Sequence, residues 1–114
     1  MNILLLEDEE PAALRLQKMI KEIEPGAVMP ESIVSVSSAI QWLQHNPLPD
    51  LIISDIQLAD GLSFEIFKEV KTLCPVIFTT AFDQYAIEAF KVNSIDYLLK
   101  PVKKEELLAA IEKY

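Results

Sequence analysis

Cysteine is nearly missing from this chain. Cys74 stands alone, so no internal disulfide can form, and a reducing compartment is expected. Glycine is almost as scarce. Gly26 and Gly61 are the whole supply, too few for a glycine-rich phosphate loop. No apolar run approaches the roughly 18 residues of a membrane span. The opening apolar run, Ile3–Leu6, meets acids after four residues and lacks the basic flank of a signal peptide. A cytoplasmic location without membrane attachment is therefore expected. Positive charge is short too: 10 Lys and Arg face 18 Asp and Glu, giving a net charge of −8 and a pI of about 4.5. Such a surface repels phosphate backbones, which argues against direct nucleic-acid binding by this segment. The same acidity suits a site that gathers carboxylates around a metal ion.

What is present is enough to build one core. The 114 residues fit one compact domain, and 51% are hydrophobic. Short, continuous apolar runs lie at residues 3–6, 51–53, 76–78 and 97–99, with a weaker one at 32–36. Runs of this length read as strands buried on both faces, as in a parallel sheet covered by helices. Segments with helical spacing alternate with them. In residues 11–24, Leu16, Met19, Ile20 and Ile23 repeat at helical intervals, Pro11 fits the first turn, and Pro25-Gly26 ends the pattern. Residues 37–45 offer Ile40 and Leu43. Residues 62–72 offer Leu62, Ile66, Phe67 and Val70. Residues 84–92 offer Ile87 and Phe90, and residues 103–114 offer Leu107, Leu108 and Ile111. The order βαβαβαβαβα predicts an α/β fold, a doubly wound, five-stranded parallel sheet in the order 2-1-3-4-5.

In open sheets of this kind, ligands bind beyond the carboxyl ends of the strands. Glu7 and Asp8 follow the first strand, Asp55 the third, Thr79-Thr80 ends the fourth, and Lys100-Pro101 follows the fifth. Three acids, a hydroxyl and a lysine thus meet at one edge. A hard divalent cation such as Mg²⁺ takes oxygen ligands in octahedral geometry, so Glu7, Asp8 and Asp55 are candidate metal ligands. Without a cation, clustered carboxylates raise one another's pKa. Asp55, its backbone fixed by an apolar strand, is a candidate nucleophile toward phosphorus. Phosphoryl transfer needs positioning and neutralisation of the equatorial oxygens, which Mg²⁺ and the Lys100 ammonium can supply. Thr80 can donate a hydrogen bond to a phosphoryl oxygen. Taken singly, each residue reads as a helix cap, a strand end or solvated surface. Glu9 and Glu10 read as no more than that. The ordered combination is what carries the functional reading.

That combination resembles the response-regulator receiver family across essentially all 114 residues. The motifs are Leu6-Glu7-Asp8-Glu9, Pro49-Asp50-Leu51-Ile52-Ile53-Ser54-Asp55-Ile56, Phe78-Thr79-Thr80-Ala81 and Asp96-Tyr97-Leu98-Leu99-Lys100-Pro101. The resemblance implies a flavodoxin-like receiver fold in which Asp55 is phosphorylated by a sensor histidine kinase. It implies Mg²⁺ held by Glu7, Asp8, Asp55 and the backbone carbonyl of Gln57. Thr80 becomes the switch hydroxyl, Tyr97 the aromatic that moves with it, and Lys100 the partner of the phosphoryl group, with a cis Lys100-Pro101 bond. It implies a signalling module, with at most weak self-phosphorylation and self-dephosphorylation. Further details, Asp55-Ile56-Gln57-Leu58 and Thr80-Ala81-Phe82-Asp83-Gln84-Tyr85-Ala86 among them, resemble receivers of LytTR-type transcriptional regulators. There a DNA-binding domain follows, so DNA binding is expected only through a C-terminal effector domain beyond this sequence. Two departures stand out. Glu7 replaces the aspartate of many receivers and is one methylene longer, which admits a contact to the metal through water. Residues 55–61 form a shorter stretch than in many receivers, which bears on the placement of the Gln57 carbonyl, although Asp60-Gly61 suits a turn.

The expected switch is a population shift. Phosphorylation favours a state in which Thr80 moves inward and Tyr97 follows, altering the face made by residues 84–92, 97–99 and 103–114, with Ile87, Phe90, Lys91, Lys103 and Glu106 on it. That face is expected to pair with a second copy or an effector. Rival readings are a degenerate receiver serving as an interaction module, an aspartate-nucleophile phosphatase and a flavin-binding domain. The second lacks the further acid of an Asp-x-Asp motif in Asp55-Ile56-Gln57, and the third lacks its phosphate loops. His45 and Trp42 read as surface and packing residues, and Cys74 as a small packed one.

Overall fold

A computed structural model of the chain describes residues 1–81 and 94–114. The predicted helix over residues 84–92, with Ile87, Phe90 and Lys91, lies outside the described residues. Elsewhere strands and helices alternate much as the apolar pattern demands. They run as β1 (Ile3–Leu6), α1 (Glu10–Ile23), α2 (Val36–His45), β2 (Leu51–Asp55), a small hairpin β3 (Gln57–Leu58) and β4 (Gly61–Leu62), α3 (Phe64–Glu69), β5 (Val76–Thr80), β6 (Ser94–Leu99) and α4 (Lys104–Glu112).

The main sheet is parallel in the order β1-β2-β5-β6. Every residue of β1, β2 and β5 is buried, because helices cover both faces. Strand alternation divides the apolar residues between those faces. Ile3, Leu5, Ile53, Ile77 and Leu98 pack with Leu16 and Ile20 of α1 and with Leu107 and Ile111 of α4. Leu4, Leu6, Ile52 and Phe78 pack with Ala39 and Leu43 of α2 and with Phe64 and Ile66 of α3. Phe78 meets Phe64 and Phe67 edge-on, at ring-centroid separations of 5.2 and 6.1 Å.

The predicted strand over residues 32–36 is corrected. Only two isolated parallel bridges, Asn2 with Val28 and Leu6 with Ile33, mark the place beside β1. Four residues separate the two contacts on β1 and five on its partner, so the ladder cannot stay in register. Pro30, between the two bridges, also has no N–H to give. The fragment still occupies the expected edge, bonded through the Ile3 N–H to the Val28 carbonyl at 3.0 Å and the Glu7 N–H to the Ile33 carbonyl at 2.9 Å. The helix read over residues 62–72 shortens to Phe64–Glu69. Gly61 and Leu62 are taken by the hairpin. Downstream, Val70 turns extended, and Pro75 disfavours a helical Cys74. Helix α2 begins one residue earlier than predicted, because the Ser35 hydroxyl accepts the Ser38 N–H at 3.1 Å as its cap.

Candidate functional site

Parallel strands bring their carboxyl ends to one edge, and the predicted polar residues converge there. Glu7 follows β1 and is 1% exposed. Asp55 ends β2 at 7% exposed, and Thr80 ends β5 at 1%. Asp8 is exposed at the rim of this edge. One carboxylate oxygen from each of Glu7, Asp8 and Asp55 lies within 4.8 Å of the others. Lys100, just after β6, crosses to this cluster. Its Nζ donates to Glu7 Oε1 at 2.7 Å and to Asp55 Oδ2 at 2.8 Å. The lysine backbone is fixed by its own N–H, which reaches the Thr80 carbonyl at 2.8 Å, and the Lys100-Pro101 peptide is cis.

The remaining oxygens of the two buried acids are also engaged. Glu7 Oε2 accepts the Glu9 N–H at 3.2 Å, and Asp55 Oδ1 accepts the Gln57 N–H at 3.2 Å. Tyr97 sits opposite Phe78 in the β5–β6 ladder, half-buried against the α2–α3 face. Its N–H donates to Asp96 Oδ1 at 2.8 Å, and Asp96 Oδ2 takes the Lys113 ammonium at 2.9 Å.

Electrostatics follow from this geometry. Burial raises the Glu7 carboxyl above its ordinary range, with Asp55 adding to the rise, while Lys100 and the Glu9 N–H counteract it. Burial acts to lower the Lys100 ammonium, but its bonds to Asp55 and Glu7 prevail and hold it above its ordinary value. The ammonium thus serves as a resident counter-charge for two buried carboxylates. A site of oxygen donors that draws a cation in this way fits a hard divalent ion, and Glu7, Asp8 and Asp55 could hold one.

One residue read from sequence only as a turn former has a larger part. Asp60, at the tip of the β3–β4 hairpin, accepts the Val36 N–H at 2.6 Å and the Ser37 N–H at 3.1 Å, capping α2 from outside. Both bonds pull its carboxyl below the ordinary range. Nothing in its local sequence announces a partner 24 residues upstream.

Four parallel strands wound on both faces, with an acid cluster and a lysine at their carboxyl ends, define a receiver-type α/β domain. Residues 3–112 match the model of the response regulator receiver domain, and the chain belongs to that family. It is 34% identical to the sensory transduction protein LytT of Bacillus anthracis over 117 residues, covering 100% of this chain and 47% of that protein. It is also 34% identical to the positive alginate biosynthesis regulatory protein of Pseudomonas aeruginosa, covering 99% of this chain and 46% of that one. The chain therefore spans about half the length of the curated relatives it matches. Among solved structures, it resembles the response regulatory domain of protein mrkE from Klebsiella pneumoniae, with a TM-score of 0.85, 28% identity, and coverage of 99% of this chain and 93% of that one. Receiver domains are signalling domains that histidine kinases phosphorylate and that bind Mg²⁺ at an acidic pocket. Among the described residues, no helix is long and apolar enough to cross a membrane.

Proposed function

We propose that Asp55 is the phosphoacceptor of a signalling switch. The observation that carries this reading is the setting of its carboxylate. One oxygen lies 2.8 Å from the Lys100 ammonium and the other is held by the Gln57 N–H, with Glu7 and Asp8 alongside. An oxygen of Asp55 attacks the phosphorus of a phosphohistidine on a sensor kinase. The new O–P bond forms as the P–N bond breaks, and the leaving imidazole takes up a proton. Glu7, Asp8, Asp55 and the Gln57 carbonyl would hold Mg²⁺. When bound, the ion neutralises phosphoryl charge and offsets repulsion among the acids. Lys100 exchanges a carboxylate partner for a phosphoryl oxygen, and the Thr80 hydroxyl donates to another.

The response is a population shift, driven by the phosphoryl group's different interaction with two states. Thr80 and Tyr97 lie on adjacent strands, so movement at one bears on the other. Residues 97–99 and α4, with Lys103 and Glu106 exposed near its start, supply part of the responding face. We assign that face to pairing with a second copy, and DNA contact to a C-terminal effector domain beyond residue 114. This reading places the domain in the cytoplasm, with transcription as its output and at most weak self-phosphorylation of its own.

The test is incubation of the purified domain with Mg²⁺ and acetyl phosphate, read by intact mass. The expected result is a gain of one phosphoryl group that Asp55→Asn and omission of Mg²⁺ both abolish. A folded, Mg²⁺-binding domain that gains no mass from acetyl phosphate or from a cognate kinase would refute it.

A further inference from the structure

We propose that Asp60 is a positioning residue for cation binding: by clamping the N-terminus of α2 it fixes the short loop that carries the Gln57 carbonyl. The inference rests on the reading that this carbonyl and the three acids hold the divalent ion.

The loop after Asp55 has little to stabilise it internally. Its hairpin contains two residue pairs, Gln57 with Leu62 and Leu58 with Gly61, around the turn Ala59-Asp60. An isolated two-stranded hairpin is marginal at best in water. Gly61 closes the turn at a φ of +152°, where glycine is at ease and other residues are not. Besides the buried side chains of Ile56 and Leu58 and the Gln57 N–H bond to Asp55, attachments at both ends of the hairpin hold it in place. At the base, the Ile56 N–H reaches the Thr79 carbonyl at 3.0 Å and the Ser63 N–H reaches the Ile56 carbonyl at 2.7 Å. At the tip, the attachment is α2. The Ala59 N–H donates to the Val34 carbonyl at 3.2 Å, and the two Asp60 oxygens take the Val36 and Ser37 N–H groups.

These two donors are among the backbone groups that the first turn of a helix leaves without partners inside the helix. Ser35 serves Ser38 from within the same segment, whereas Asp60 serves its neighbours from across the fold. An ionised carboxylate at a helix N-terminus is favoured by charge as well as by hydrogen bonding. The clamp lies three residues from Gln57, so loosening the tip removes support from that side of the loop. Octahedral coordination tolerates little misplacement of a ligand, so a looser carbonyl lowers affinity while the carboxylates stay in place.

Calorimetric titration of Mg²⁺ into the domain tests this, with thermal unfolding measured in parallel. Asp60→Ala is expected to weaken Mg²⁺ binding about tenfold, the scale of lost supporting contacts at metal sites. Asp60→Asn, which keeps one acceptor oxygen, should fall between. Ser35→Ala removes the other cap of the same helix and separates positioning from helix stability. It should lower the melting temperature but leave Mg²⁺ affinity at the native value. Equal Mg²⁺ affinity in native and folded Asp60 variants would overturn the inference alone, as would an equal loss in Ser35→Ala. A native domain that binds no Mg²⁺ would overturn both this inference and the reading of the site beneath it.

Discussion

Replacing Lys100 by Met keeps the aliphatic stem and deletes the ammonium that neutralises Glu7 and Asp55. The acids' nearest oxygens lie within 4.8 Å. At an effective dielectric near 20, two unit charges that close repel by about 3.5 kcal/mol. Protonation of Glu7 sets a limit on this cost. Keeping a proton at pH 7 on a group with an ordinary pKa of 4.5 takes about 3.4 kcal/mol, at 1.36 kcal/mol per unit. At pH 5 the same limit falls to about 0.7 kcal/mol. The sign follows from Glu7 already lying above its ordinary value. Stability from its protonated form is fully present below about pH 4.5 and is lost as pH rises through the folded pKa. Removing the lysine moves that folded pKa further up and widens the window. The expected loss is therefore about 3 kcal/mol at pH 7, shrinking to no more than about 0.7 kcal/mol at pH 5. Urea unfolding of native and Lys100→Met domains in EDTA at both pH values measures it. A difference that is the same at pH 5 and pH 7, or under about 1 kcal/mol at pH 7, refutes the counter-charge argument.

Other perturbations probe the fold around the site. Phe78→Ala removes a fully buried ring that two other rings meet edge-on, and should cost about 3–5 kcal/mol in urea unfolding with little change in slope. Cys74 is buried, and burial pushes its thiol up to about 11. Its reaction with a disulfide reagent at pH 8 should run about a hundredfold slower in the native domain than in urea. Gly61→Ala meets no steric obstacle from its Cβ, yet the φ of +152° disfavours any side chain. It should cost about 1 kcal/mol or more by the same unfolding assay.

The parallel sheet was legible because strands buried on both faces have to be apolar throughout, as Ile3–Leu6 and Val76–Thr80 nearly are. The edge segment was less legible for the converse reason. It pairs on one side only, and Val28 and Val34 stay exposed, so its apolar residues do not delimit it. The ends of α3 depended on a competition that composition does not reveal. Leu62 fits a helical face but is drawn into the hairpin, while Leu73 is left 87% exposed beyond the helix. Such boundaries are set by tertiary contacts more than by propensity.

For the site, strand ends identify which residues meet but not how they bond. Parallel topology alone brings Glu7, Asp55, Thr80 and Lys100 to one edge. That Lys100 would divide its ammonium between Glu7 and Asp55 depends on side-chain reach across 93 residues of sequence. The extra methylene of Glu7 acquires a structural meaning here. Its carboxylate spans from the Glu9 N–H to the lysine, joining the start of α1 to the end of β6 through one side chain. Asp60 likewise joins the hairpin that follows Asp55 to α2. Two carboxylates, Glu7 and Asp60, thus tie segments next to Asp55 to the starts of different helices. Asp55, Lys100 and Glu7 form one bonded series that ends at the start of α1, and Lys100 directly follows the strand that carries Tyr97.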